Sequence, residues 1–435
     1  MHLLTNLGTI LWSLAVHTAA PFHPKARAWV NGRRGLWERL THKADRLQGC
    51  LWMHSASVGE FEQGLPILEA IKAEHPELPV LLTFFSPSGY EARKDHPLAT
   101  HVEYLPNDSA RNAERLLSLI RPSTVLWVKY EFWRHHLAAL KRHNVPTYLV
   151  SAIFRPDQPF FRWYGTAWRQ MLDQFTWLFV QDERSRALLD GLGIRNVTVA
   201  GDTRFDRVMR IVADGRTVPL AKAFQRANDT PVLIAGSTWS ADEDLLATAF
   251  RCMRTPPRLL VVPHEPSAQA VNRLIGTMPP PVERWTELER LLETSRPPTS
   301  DGDPIPNEGD PLFARTLVMD RTGLLARTYQ HADMAYVGGG FGDGIHSLLE
   351  AAAWGIPVIF GPRHTKFAEA QGLIDADGGI QVNNAEELTS VVTRWMRDPQ
   401  ARALAGLAAE RYVRSHAGAT ARITPAVLES IALHR

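Results

Sequence analysis

The chain has 435 residues, 45% of them apolar, which is more than one hydrophobic core usually supports and enough to build two, so two domains of roughly 200 residues each are expected. Lys and Arg number 48 against 46 Asp and Glu, a balance that leaves no basic excess to neutralise phosphates and removes nucleic acid from the expected partners. With only Cys50 and Cys252, neither a disulfide framework nor a cysteine zinc cluster is available, which suits a reducing compartment.

The run from Leu3 to Ala20 contains no Lys, Arg, Asp or Glu. A bilayer span takes about 20 mainly apolar residues. A signal peptide would carry its positive charges ahead of the run, whereas Lys25, Arg27, Arg33 and Arg34 follow it. With Trp29 and Trp37 in the same flank, residues 1–40 read as a membrane-associated segment, peripheral or a single anchor, with the body on the cytoplasmic side. Arg33 and Arg34 are suited to anionic phosphates there. A buried core helix is the alternative reading of the apolar run.

From Cys50 onward short apolar runs alternate with helical patterns, the signature of doubly wound parallel sheets. Strands are expected at Cys50 to His54, Val80 to Phe84, Val102 to Leu105, Thr124 to Val128, Thr147 to Ser151, Trp177 to Val180 and Val197 to Ala200. Helices fall between them, as at Glu60 to Ala73 and Ser109 to Ile120. A second series runs through Val232 to Ala235, Leu259 to Val262, Thr316 to Met319, Met334 to Val337, Pro357 to Phe360 and Ile380 to Val382. The expected class is α/β, with Rossmann-like domains over residues 41–215 and 225–400 and C-terminal helices over 401–435 that fold back on the first domain. Residues 279–311, with PPP, RPPTSDGDP and NEGDP, have the composition of a loop.

Two strands end in short polar loops that open a helix, and such loops hold the ligands of α/β sheets. The first carries Ser55, Ser57, Gly59 and Glu60, the second Ser86, Ser88 and Gly89. Ser57-x-x-Glu60 is also the pattern of a capping box, and a helix start favours an ionised carboxylate, so the structural and chemical roles are compatible. No G-x-G-x-x-G follows the first strand and no G-x-x-x-x-G-K-[ST] is present, against a dinucleotide enzyme and a P-loop nucleotidase. The late run Gly338 to Gly344 is placed to bring amides to an anion at the start of a helix spanning Ile345 to Trp354. Glu350 in that helix is suited to ribose hydroxyls; a tight turn with a solvated Glu350 is the other reading.

WMHSASVGE at Trp52 to Glu60, the hydroxyl-rich Ser86 to Gly89, Tyr130-Glu131-Phe132-Trp133, GDTRFDRV at Gly201 to Val208, GSTW at Gly236 to Trp239, and Gly338 to Pro362 together resemble the Kdo transferases. These membrane-associated glycosyltransferases attach 3-deoxy-D-manno-octulosonic acid (Kdo) to a lipid A precursor. FEQG and TFFSPSGYE are most similar to the Bacteroidetes branch. The resemblance covers nearly the whole chain and implies a GT-B fold, two Rossmann-like domains facing across a cleft, with the acceptor on the first and the donor CMP-Kdo on the second. It implies inversion at the anomeric carbon, with Glu60 as the general base and Glu131 as a second catalytic carboxylate.

By the same resemblance Ser57, Gly59, Ser86, Ser88 and Gly89 contact the acceptor. Arg204, Ser237, Thr238, His264, Gly339, Gly340, Gly342, Gly344, His346 and Glu350 contact the donor. Two departures stand out: Lys129 replaces an acidic residue common in relatives, and His264 stands where an arginine is common, leaving Arg204 or Arg363 to supply the cation. CMP-Kdo has one phosphate, so no metal or other cofactor is expected. The implied partners are CMP-Kdo, a lipid A precursor and the membrane surface, on the cytoplasmic side of a bacterial inner membrane. A sugar-nucleotide epimerase of similar fold and a non-catalytic nucleotide-sugar-binding membrane protein remain alternatives, since fold analogy alone does not separate them.

Overall fold

The structure, a computed structural model, describes residues 14–295 and 311–433. Two compact units divide the chain, one running to Arg207 and resuming at Ala417, the other spanning Val208–His416.

The first unit is built on a parallel sheet of seven strands: β1 (Leu51–Ser55), β2 (Val80–Phe84), β3 (His101–Tyr104), β4 (Thr124–Val128), β5 (Thr147–Ala152), β6 (Trp177–Val180) and β7 (Val197–Val199), in the order β3-β2-β1-β4-β5-β6-β7. Every residue of β1, β2 and β4 is buried, because helices cover both faces of a parallel sheet and select continuous apolar runs. The winding reverses between β1 and β4, which pair directly. Loops leaving the carboxyl ends of two such strands diverge and open a crevice where ligands bind.

The helix Val58–Glu74 starts at the carboxyl end of β1 and sits unusually close to the sheet. A Cβ added at Gly64 would lie 2.7 Å from Met53 Sδ and 3.0 Å from Val128 Cγ2, so only glycine permits this approach. Beside it packs the C-terminal helix Ala419–Leu433, whose Ile423, Val427 and Ile431 share a core with Phe61, Leu65 and Leu68. Tyr148 donates to the Ala426 carbonyl at 3.0 Å, and the Thr124 and Ser430 hydroxyls meet at 2.6 Å. Within the segment 401–435 only the part from Ala417 belongs to the first unit, while Pro399–His416 stays with the second. The central division falls at Arg207, inside the amphipathic helix Thr203–Asp214 rather than between 215 and 225, where no change of composition marks it.

Part of the cationic, Trp-bearing flank after the apolar run is internal, while Lys25, Arg27 and Arg34 are exposed. Its helices Pro24–Gly32 and Leu36–Leu47 bury Trp29, Leu36, Leu40 and Leu47, and Trp37 packs on the core of the first unit. The Arg33 guanidinium lies 3.9 Å from the Trp29 ring centroid and 4.8 Å from that of Tyr104, and donates to the Phe85 carbonyl at 3.0 Å. Burial lowers its pKa to about 9, so Arg33 is an internal strut. Residues 1–13 of the flank and apolar run lie outside the described residues, among which no helix is long and apolar enough to cross a membrane.

The second unit holds β8 (Val232–Thr238), β9 (Arg258–Pro263), β10 (Val282–Arg284), β11 (Thr316–Val318), β12 (Met334–Val337), β13 (Val358–Phe360) and β14 (Gly379–Gln381), again all parallel, in the order β10-β11-β9-β8-β12-β13-β14. Its switch point lies between β8 and β12. Two units of this kind in one chain are the GT-B architecture. Two local expectations fail here. The segment read as loop from 279 contains the edge strand β10 and the helix Trp285–Ser295, anchored by buried Trp285 and Leu288; residues 296–310 lie outside the described residues. The helix expected over Ile345 to Trp354 is only one turn, Leu349–Ala352, because the preceding residues close a loop of their own.

Candidate active site

In the first unit the predicted residues gather on three loops at the carboxyl edge of β2, β1 and β4. Glu60 occupies the first turn of the helix Val58–Glu74 and Ser57 its N-cap, but the capping box does not form. The Ser57 hydroxyl instead donates to Glu60 Oε2 at 2.6 Å, and the Ser57 side chain accepts no cap hydrogen bond. Gly59 is exposed beside them. The second loop is tied to the first by the Ser86 N–H, which donates to the Ala56 carbonyl at 2.8 Å. Ser86 Oγ caps the helix Pro87–Arg93 by accepting from the Gly89 N–H at 3.0 Å, and Ser88 donates weakly to it at 3.4 Å. The Ser86 side chain is therefore structural, leaving exposed Ser88 as the more available hydroxyl of this loop.

The third loop leaves β4 through Lys129, whose φ of +60° is a left-handed conformation that a residue with a Cβ rarely adopts. This turn delivers Glu131. The Trp133 indole donates to Glu131 Oε2 at 2.6 Å, His54 Nε2 faces the same oxygen at 3.5 Å, and the Trp127 indole donates to the Glu131 carbonyl. Beside Glu131 a cavity of about 350 Å³ is lined chiefly by Tyr130, Phe132, Trp133, Phe160, Trp168 and Met171, at the small end of the range of roughly 300–1,000 Å³ for small-molecule sites. Ser55 adds a buried hydroxyl with no hydrogen-bond partner among the described residues.

In the second unit the residues gather at the carboxyl ends of β8, β9 and β12. Ser237 has a φ of +53° and Thr238 donates to buried Glu243 at 3.1 Å, so Thr238 is internal. The glycine run is folded tightly on itself. Gly342 and Gly344 both donate to the Gly339 carbonyl, at 2.9 and 3.1 Å, and Gly339 donates to Asp242 Oδ2 at 2.9 Å. A Cβ at Gly340 would lie 2.6 Å from Gly361 Cα. The amides expected to cradle an anion are thus largely engaged within the loop, and the glycines act by close packing. Glu350 lies in the first turn of Leu349–Ala352, where its carboxylate and burial together push the Tyr329 phenol well above its ordinary range, burial contributing more.

What the loop presents is a set of rings. The His264 and His346 imidazoles stack at 4.2 Å and 16°, and Trp239 lies 4.8 Å from His264. The Trp239 indole donates to His346 Nε2 at 2.9 Å, which puts the ring proton of neutral His346 on Nδ1. Burial, and next the neighbouring His264, lower the His346 pKa, so the ring is neutral at pH 7. Arg363 donates to the Gly342 carbonyl at 2.5 Å on the outside of the loop. Arg204, predicted as a donor contact, belongs to the first unit, where Asp202 binds its guanidinium at 2.7 and 2.8 Å. Among the described residues no three His, Cys, Asp or Glu side chains converge as metal ligands would.

The profile of the 3-deoxy-D-manno-octulosonic-acid transferase (kdotransferase) family matches residues 32–207, the span that carries Ser57, Glu60, Ser86 and Glu131. The chain is 28% identical to the 3-deoxy-D-manno-octulosonic acid transferase of Aquifex aeolicus over 355 residues, 80% of this chain and 86% of the relative. It is 27% identical to that of Bordetella pertussis, with 97% of this chain and 99% of the relative aligned. The family these matches support for this chain is the Kdo transferases, which are glycosyltransferases. The fold extends to another class of enzyme. The UDP-GlcNAc 2-epimerase of Neisseria meningitidis is similar with a TM-score of 0.56 over 88% of this chain and 99% of that one, at 14% identity, a likeness of fold alone.

Asp242, Trp239 and His54 carry much of this geometry and were not among the site residues expected from the sequence, although Trp239 and His54 lie in its motifs. Asp242 accepts from the Trp239 N–H at 2.9 Å, the Gly339 N–H at 2.9 Å and the Tyr336 hydroxyl at 2.8 Å, so it bolts the glycine loop to the end of β8. Only a buried acid in the first turn of a helix after β8 hints at this.

Proposed function

We propose that the chain is an inverting transferase that moves Kdo from CMP-Kdo to a lipid A precursor at the cytoplasmic face of the bacterial inner membrane, with Glu60 as general base. The observation that carries this reading is the placement of Glu60 in a chain similar to the Kdo transferases: a carboxylate at the switch point of the first sheet, held by Ser57 through one oxygen. Oε1 is then the oxygen that accepts the proton of the acceptor hydroxyl as that oxygen bonds to the anomeric carbon of Kdo. The bond from that carbon to CMP breaks on the opposite face, and its electron pair leaves with the phosphate.

Glu131 accepts a second hydroxyl of the acceptor, and the aromatic cavity beside it receives the neighbouring apolar part of that molecule. The platform of Trp239, His264 and His346 is suited to the flat pyrimidine of CMP, while Arg363 stands near enough to the glycine loop to meet a single phosphate. The charge of one phosphate calls for no divalent ion, so the reaction is expected to survive chelation.

Mass spectrometry of the lipid after purified protein meets CMP-Kdo and tetra-acylated lipid A precursor in detergent tests the proposal. A gain of one or more Kdo units is expected. Binding of CMP-Kdo with no change in lipid mass would contradict it.

A further inference from the structure

Buried beneath the Glu131 loop is a polar side chain that the proposed transfer does not itself use. His54 stands in β1, its side chain fully buried, with its ring 4.7 Å from that of Trp127. A buried imidazole must satisfy two different nitrogens, and here the surroundings decide which one carries the proton.

On one side Nδ1 lies 2.9 Å from Thr83 Oγ1 and 3.2 Å from the Thr83 carbonyl oxygen. That hydroxyl already accepts from the Trp52 indole at 2.8 Å, and an indole N–H can only donate. The hydroxyl proton is therefore free to be given to Nδ1. On the other side Nε2 faces the Glu131 carboxylate, where a bare lone pair would oppose an anion and an N–H is attracted to it. The Thr83 hydroxyl can serve either tautomer and the Thr83 carbonyl can only accept, so it is the Glu131 carboxylate that assigns a proton to Nε2, an arrangement with which the Thr83 hydroxyl as donor is compatible. A one-way chain results: Trp52 N–H to Thr83, Thr83 O–H to His54 Nδ1, and His54 Nε2–H toward Glu131 Oε2, which the Trp133 indole meets from elsewhere at 2.6 Å.

We infer that His54 is a positioning residue for Glu131. It adds a second donor to Oε2 and so leaves Oε1, which no hydrogen bond among the described residues reaches, as the oxygen presented to a hydroxyl of the acceptor. The 3.5 Å separation is long for a hydrogen bond, and contacts of this kind tighten in substrate complexes. The lines that meet at Glu131 come from β1, β2 and its own loop, so the carboxylate is oriented by the sheet itself. This inference rests on Glu131 touching the acceptor.

The test compares His54→Leu, His54→Gln, Thr83→Val and Glu131→Gln in full-length protein, reading kcat and KM for the lipid acceptor, Kd for CMP-Kdo, and Tm. His54→Leu is expected to lower acceptor kcat/KM by about tenfold to a hundredfold, the range for a hydrogen bond to a charged group, with the CMP-Kdo Kd unchanged within about twofold. His54→Gln, whose amide N–H reaches the place of Nε2, is expected to recover most of the loss. The double variant His54→Leu/Glu131→Gln should be no slower than Glu131→Gln alone, since both remove one interaction. Thr83→Val keeps the side-chain shape, should lower acceptor kcat/KM by a few-fold, and decides the question if His54→Leu does not fold.

A His54→Leu enzyme with lowered Tm but unaltered kcat/KM in the folded fraction would overturn the inference, as would losses that multiply in the double variant or an unaltered Thr83→Val. If Glu131→Gln itself has normal kinetics, it is the role of Glu131 that fails, a result distinct from any of these.

Discussion

At the switch point of the first unit the loops carry carboxylates, and each has one oxygen engaged: Glu60 Oε2 by Ser57, Glu131 Oε2 by Trp133 and His54. At the switch point of the second unit the buried carboxylates face inward, Asp242 consumed in holding backbone and Glu243 accepting from Thr238, and what the loops offer is Trp239, His264 and His346. The same winding of a parallel sheet thus gives two surfaces of opposite character. A group that takes a proton works best as a fixed anion with a known free oxygen, whereas a group that seats a heteroaromatic ring works best flat and neutral. The glycine run belongs to the second solution, since its amides close the loop and its missing side chains let the loop lie against the strand ends.

Asp242→Ala breaks the second surface and leaves the first untouched. Two buried donors and one part-buried donor lose their partner, the buried ones at a cost of about 1–3 kcal/mol each, so a fall in stability of roughly 2 kcal/mol or more is expected in denaturant unfolding, with weakened CMP-Kdo binding. A smaller and opposite effect is expected of Met171→Trp, which fills the cavity beside Glu131: acceptor KM should rise roughly tenfold, about 1.4 kcal/mol of binding, while the CMP-Kdo Kd is unchanged. Equal changes in both substrates would erase the distinction between the surfaces.

A separate expectation concerns pH. His331 in the second unit is buried, and burial, with Lys222 and Arg226, lowers its pKa to about 4 from an ordinary 6.5. Above about pH 6.5 neither the folded nor the unfolded state binds a proton there. As pH falls the unfolded chain binds one first, so the contribution present above 6.5 is lost progressively down to about 4. Tm is expected to drop over that window, and less steeply for His331→Gln; an identical slope would assign the acid sensitivity to other groups.

Strands such as Val80–Phe84 and Thr124–Val128 were legible to the residue because burial on both faces writes itself as an apolar run. β10 was not, since Val282, Glu283 and Arg284 form a three-residue edge strand of which none is fully buried. The placement of Glu60 and Glu131 beyond the ends of β1 and β4 was legible because both sit in short motifs that follow a strand. Their partners were not: Thr83 lies 29 residues from His54, and Glu131 lies 77 from it. Asp242 is 97 residues from the Gly339 amide it accepts, and composition reports that a glycine loop can bend without reporting what holds it. The apparent capping box failed for a local reason, as the Ser57 hydroxyl found the carboxylate of Glu60 nearer than its amide.

Glu60→Gln keeps the shape of the side chain and removes its capacity to take a proton, so single-turnover transfer measured beside calorimetric CMP-Kdo binding addresses the central claim most directly. Transfer slowed by about 10²- to 10⁴-fold, the usual contribution of a general base, with donor affinity intact, is the predicted result. Turnover within a few-fold of the unaltered protein would leave Glu60 as a residue of the helix start and place the base elsewhere.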